Sequence, residues 1–248
     1  MKKKIKKPLK QIFIFGISIL IGMMGWIIAT TPDVTILKTQ NPKQTRLMTY
    51  RNAQYRKKGM KVVKRQRWVP LSRISPALIQ AVLISEDDKF YLHNGFDWEG
   101  IRDAAGKNMR SRRILMGGST ITQQLAKNLY LTPTRNPMRK IQEAWITECL
   151  ERELPKRRIL ELYLNVIEWG RGIYGIEAAS RFYYHKSASE LNREQVIRLA
   201  SVLPNPIRYS PVSNSSKRMT NKRKTIALHM MQKHLIDKDE YKRLCALF

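Results

Sequence analysis

The chain has 248 residues, 43% of them hydrophobic, and carries 47 lysines and arginines against 19 aspartates and glutamates, a formal net charge of +28. That length and apolar content exclude a disordered chain and suffice for one domain with a real core. Two cysteines exclude a disulfide scaffold, and four scattered histidines give no metal-ligand spacing. The charge excess calls for an anionic partner: nucleic acid, an anionic bilayer or a phosphorylated substrate.

The first eleven residues form a basic tail with Lys2, Lys3, Lys4, Lys6, Lys7 and Lys10, and residues 12–30 are almost wholly apolar. A run of about 18 such residues approaches the roughly 20 needed to cross a bilayer. By the positive-inside rule the lysines stay in the cytoplasm and everything after residue 30 is exported, which argues against nucleic acid. A cleaved signal peptide has the same charge and apolar regions. The length of this run and the poor cleavage site at Trp26–Thr31 favour a retained anchor.

Residues 31–67 read as a basic, polar connector with strand tendency from Met60 toward Trp68. Ser75 and Pro76 then open an apolar helix that delivers Glu86 at its C-terminal end. Residues 106–116 mix arginines with Met109, Ile114, Leu115 and Met116, as in a surface loop or a segment dipping into lipid. Gly117-Gly118-Ser119-Thr120 opens a helix of about ten residues with Ile121, Leu125 and Leu129 as its buried stripe. Gln124 and Lys127 fall on a different face. Helices follow over 138–153, stopping before Pro155, and over 156–165. Gly170, Gly172 and Gly175 mark a tight connection. Asn192 and Gln195 form a capping box for a helix ending near Pro204, and a basic helix lies around 222–234. Helix dominates, so the fold class is mainly α. Cys149 sits in a helical pattern as a small apolar residue; pairing with Cys245 is left open.

The carboxylates Glu86, Asp87 and Asp88 end an apolar helix, a placement suited to general acid/base chemistry. Glu143 stands four residues after Arg139 and three after Lys140, so the three share one helical face. The glycine-rich start before Ile121 offers free backbone N–H groups to an anion.

In order, the chain contains EDDKFYLHNGFD (Glu86 to Asp97, read as E-D-x-x-F-x-x-H-x-G-x-D), GGSTITQQLAKNL, RKIQE, KRRILELYLN, GRGIYGIEAASRFYYHK and LPNPIRYSP. On these motifs it resembles the peptidoglycan glycosyltransferases, the lipid II polymerases, over about residues 68–211. The absence of Ser-x-x-Lys, together with Glu168 where bifunctional relatives often have tyrosine, resembles the monofunctional biosynthetic branch. Ser85 stands where a small residue, often alanine, is usual.

The resemblance implies a lysozyme-like glycosyltransferase domain with a small membrane-facing jaw lobe, after a single N-terminal transmembrane helix. It implies a core over 68–211 and a basic helical extension over 212–248 packed on the same domain. Expected partners are lipid II, the lipid-linked glycan strand, anionic membrane lipids, and proteins of cell division or elongation. The expected location is the bacterial inner membrane, with the catalytic domain outside. Glu86 and Glu143 are the expected catalytic residues. Lys127, Arg135, Arg139, Lys140, Ser119, Gln123, Gln124 and Asp87 are the expected substrate-binding residues. No cofactor is fixed by the sequence, although a divalent cation, Mg or Mn, fits the diphosphate chemistry. A lysozyme-like cell-wall cleaving enzyme and a non-catalytic basic scaffold are the alternatives.

Overall fold

The computed structural model describes residues 6–111, 118–134, 136–214 and 216–248. Helix α1 (Lys6–Ala29) contains a candidate span, Gln11–Ala29, with mean hydropathy 2.4. Only its end meets the domain, where Ile27 is buried and the Thr31 hydroxyl donates to Ile27 O at 2.7 Å.

The stretch 31–67 differs from the spacer its polarity suggests. A short 3-10 turn at Thr35–Lys38 buries Leu37, and α2 (Arg46–Lys57) follows. Thr45 caps α2 by accepting the Met48 N–H at 3.2 Å. Val34, Leu37 and Met48 all belong to the hydrophobic core. The apolar face of α2 is one narrow stripe among arginines, glutamines and asparagine, too thin to announce a helix. Packing of α2 on α5 (Ile121–Tyr130) supplies what propensity lacks.

Strand tendency near residue 65 resolves into β1 (Arg65–Gln66). It pairs in parallel with β3 (Ile173–Tyr174), which pairs antiparallel with β2 (Glu168–Gly170). The turn into α8 (Ile176–Tyr184) requires Gly175: its φ is +79°, and a Cβ there would lie 2.6 Å from Asn165 O. Asn165 also clamps the chain ahead of residue 76, donating to Val69 O and accepting from Val69 N, each at 2.9 Å.

Helix α3 (Pro76–Glu86) starts where expected, but Ser75 makes no side-chain cap; its N–H donates to Ala188 O at 3.1 Å. Residues 98–111 form α4 (Trp98–Ser111), which the sequence reading did not anticipate. Met109 on it is exposed, whereas Ile114, Leu115 and Met116 lie outside the described residues. Two helices then flank α5 on its buried side, α6 (Pro137–Glu153) and α7 (Lys156–Val166). On the other side α3 packs against α9 (Arg193–Val202) and α10 (Lys217–Gln232). The sequence ends in α11 (Lys238–Leu247), packed on α10. Ile226, Ala227 and Met230 of α10 are core residues, so this basic C-terminal region builds the domain rather than decorating it. Both cysteines are free thiols, Cys149 buried in α6 and Cys245 on α11.

Candidate active site

Glu86 is the last residue of α3, and its side chain is only 10% exposed. One oxygen accepts from the Ser85 hydroxyl at 2.9 Å and faces Lys222 Nζ at 3.5 Å; the other accepts from Gln124 Nε2 at 3.1 Å. Gln124 in turn accepts from the Tyr163 hydroxyl at 3.0 Å. Burial, reinforced by Glu86 and Asp87, pushes the Tyr163 phenol well above its ordinary pKa, so it stays a donor. This fixes the orientation of the Gln124 amide, with its NH2 toward Glu86.

One turn further along α5 stands Lys127, half-buried, with no hydrogen bond or ion pair among the described residues. Its pKa is lowered, first by burial, and Arg139 and Lys140 push in the same direction. Glu143 and Glu86 pull it back up, Glu143 more strongly. The ammonium therefore sits within the field of both carboxylates.

Glu143 lies on α6 and is 3% exposed. Arg139 Nη1 donates to one of its oxygens at 2.7 Å, and Lys140 Nζ to the other. Arg139 is also tied through Nε to Thr134 O at 2.7 Å. Three cations, Lys127, Arg139 and Lys140, thus stand around one carboxylate, leaving this end of the site positive. Arg135 lies outside the described residues, between Thr134 and Asn136, both of which are described.

Three expectations are corrected. The start of α5 is less open to an anion than expected, because three of its backbone donors are already used. Ile121 N–H donates to Asp87 Oδ2 at 2.9 Å, Gln123 N–H to Thr120 Oγ1 at 3.2 Å, and Thr120 N–H to Gln123 Oε1 at 3.0 Å. Gln123 is accordingly a buried capping residue rather than a substrate contact. Asp87 is a brace: its second oxygen takes His93 Nε2 at 2.9 Å, so each oxygen already has a partner within the fold. Ser119 is exposed just before this cap.

The divalent cation does not fit these residues as they stand. Both oxygens of Glu143 are held by cations, and the described residues contain no cluster of three or more metal-ligating side chains. Sequence reading missed Lys222 and Tyr163. Nothing in local spacing links a lysine on α10 to Glu86, although Tyr163 lies inside the KRRILELYLN motif.

A family model described as Transglycosylase matches residues 52–232. A biosynthetic peptidoglycan transglycosylase from Dechloromonas aromatica (strain RCB) is 46% identical over 216 residues, 86% of this chain and 93% of that protein. One from Aromatoleum aromaticum is 52% identical over 169 residues, 68% of this chain and 74% of that protein. One from Neisseria gonorrhoeae is 44% identical over 198 residues, covering 80% and 84%.

Proposed function

We propose, from the premise that the chain belongs to the transglycosylase family and is a peptidoglycan glycosyltransferase, that it joins lipid II units through the groove between Glu86 and Glu143. The donor is the growing glycan, still linked to its lipid through an α-diphosphate. The acceptor is the 4-hydroxyl of a lipid II sugar. Glu86 takes the hydroxyl proton as the oxygen attacks the anomeric carbon. The bond from that carbon to the phosphate oxygen breaks, the configuration inverts to β, and lipid diphosphate leaves with the bonding electrons.

Negative charge grows on the diphosphate as that bond stretches. Lys127 meets it as a partly dried point charge, Arg135 supplies a forked donor, and Arg139, held by Glu143 and Thr134, adds its positive charge. A preorganised donor of this kind contributes about 3–4 kcal/mol to a barrier, on the scale of oxyanion holes. Glu143 touches no reacting atom in this reading; it holds Arg139 and Lys140 in place. Gln124 and Lys222 orient the Glu86 carboxylate, and Ser119 lies along the sugar and phosphate path.

One observation carries the reading: α5 places Gln124 on Glu86 and, three residues on, a half-buried lysine, unpaired among the described residues, that feels both carboxylates. The same reading puts the lysine tail in the cytoplasm, α1 across the inner membrane and the domain on the outer side of that membrane, where lipid-linked substrate arrives. The test is purified full-length protein with labelled lipid II, alongside Glu86→Gln with an unchanged circular dichroism spectrum and melting temperature. Polymer from the parent and none from the variant is the expected result. Polymer from both would remove Glu86 as the base, and shortening of preformed strands would mark a hydrolase instead.

A further inference from the structure

A cavity of about 370 Å³ lies away from Glu86, where α1 meets α2 and the α5–α6 connection. Trp26 of α1 and Thr30 just after it form one wall; Arg46 opens α2 on another; Tyr130, Met138, Arg139 and Gln142 are among the residues of the remaining walls. Its volume falls in the usual range of ligand sites. We propose that this cavity binds the headgroup of an anionic phospholipid from the bilayer that α1 crosses.

Position is the first argument, and it rests on the reading of α1 as a membrane span. The wall at Trp26 and Thr30 then lies where the helix leaves hydrocarbon, the depth of lipid phosphates and of interfacial tryptophans. Trp26 is half exposed, while Ile27 beside it is buried, so this end of α1 is docked on the domain and the cavity mouth stays open.

Charge is the second argument. Arg46 is exposed and makes no hydrogen bond or ion pair among the described residues. Arg139, the other cation of the lining, is already committed to Glu143 and Thr134. No aspartate or glutamate occurs between Asp33 and Glu86, so nothing on α2 offsets Arg46. Asp33 itself is engaged by the Thr35 N–H and hydroxyl through one oxygen. A phosphate at Arg46 would gain a forked, charge-assisted pair.

The third argument is amphipathicity. Met138 and Ile146 give the cavity an apolar side on α6, which suits the glycerol and first methylenes of a lipid but gives nothing to a free phosphate ion. The substrate's polyprenyl diphosphate is the other source of phosphate at this depth. It is disfavoured because Lys127 does not line this cavity, and Arg139, which does, is held by Glu143 and Thr134.

Native mass spectrometry of full-length protein released from detergent micelles tests the site, with short-chain phosphatidylglycerol, phosphatidylcholine, inorganic phosphate and a polyprenyl diphosphate as probes. Phosphatidylglycerol should be retained at least ten-fold better than phosphatidylcholine. Arg46→Glu should abolish that preference, Lys238→Glu, an equal charge change on exposed α11, should leave it intact, and Trp26→Ser should weaken retention. Circular dichroism confirms that each variant folds. Equal losses in Arg46→Glu and Lys238→Glu would reduce the effect to diffuse attraction. Inorganic phosphate competing as well as the lipid, or retention of the polyprenyl diphosphate alone, would also overturn the proposal. No readout here involves glycan synthesis, so its failure is separable from failure of the glycosyltransferase reading.

Discussion

Glu86 and Glu143 are both buried carboxylates acting on Lys127, yet their surroundings are opposite. Glu86 ends its helix and is held by a hydroxyl and an amide, with its cation, Lys222, at the longer distance of 3.5 Å. Glu143 lies within α6 and has both oxygens taken by cations of its own helix. A carboxylate held mainly by neutral partners can exchange a proton while disturbing only one long ion pair. One clamped by two cations loses most of its reason to be there when protonated. The pair teaches that the acid/base function and the charge-holding function are separated by partner chemistry, with Lys127 between them.

The sharpest way to break that comparison is to neutralise the clamped carboxylate. Glu143→Gln leaves Arg139 and Lys140 facing an amide. The cost is about 3 kcal/mol, near the low end for breaking a buried pair because Lys140 is half in water. Thermal unfolding should show a fall of roughly 6–12 °C for a domain of this size. Lipid II turnover should fall as well, because both cations lose their anchor. Glu86→Gln should abolish turnover while leaving the melting temperature unchanged. Equal melting temperatures in the two variants would erase the distinction.

Lys127→Met addresses what lies between them. Removing a donor to the leaving diphosphate should slow polymerisation by about 10²–10³. The same change should leave the free protein as stable or more so, by about 0.5–2 kcal/mol, because the lysine is dried and has no hydrogen bond or ion pair among the described residues. The pH dependence has a definite sign. Burial lowers the Lys127 pKa below the usual lysine value, so the folded protein gives up this proton at lower pH than the unfolded chain does. Stability against unfolding therefore rises as pH climbs through that window. Turnover falls there, since only the charged ammonium serves the diphosphate. A rate profile with the same alkaline limb in the parent and in Lys127→Met would assign that limb to another group.

Lys222→Gln is the next smaller effect. Its ammonium stands between hydrogen-bond and ion-pair distance from Glu86. Loss should cost about tenfold in kcat with KM little changed, because the ammonium helps to hold the carboxylate in place. A change in KM alone would make Lys222 a substrate contact rather than a positioning residue.

These residues also show what the sequence makes legible. The Arg139–Lys140–Glu143 cluster could be read directly, since three- and four-residue spacing on a helix puts side chains together. The capping box of α9 was readable for the same reason. By contrast, the contacts of Glu86 reach 38 residues to Gln124 and 136 to Lys222. No local pattern encodes such distances; they follow from α3 packing beside α10 and from the course of α5. Asp87 misled for a related reason. As part of an acidic triplet beside Glu86 it reads as a substrate ligand, whereas folding brings the first N–H of α5 onto its carboxylate. Helix α2 was hidden because the apolar surface that holds it belongs to its neighbour.

The smallest expected effect concerns Ser85. Its hydroxyl donates to Glu86 at 2.9 Å and lies 3.3 Å from Ala200 O. One donor can serve only one of these acceptors well at a time, so its hold on the carboxylate is shared. Ser85→Ala leaves Gln124 and Lys222 on Glu86 and exposes no buried donor. The cost should be about 0.5–1 kcal/mol, a two- to five-fold drop in turnover with the melting temperature nearly unchanged. A loss beyond tenfold would mean that the hydroxyl, not Gln124, sets the carboxylate's orientation. The contrast with Glu143 would then rest on a single short-range neighbour rather than on α5.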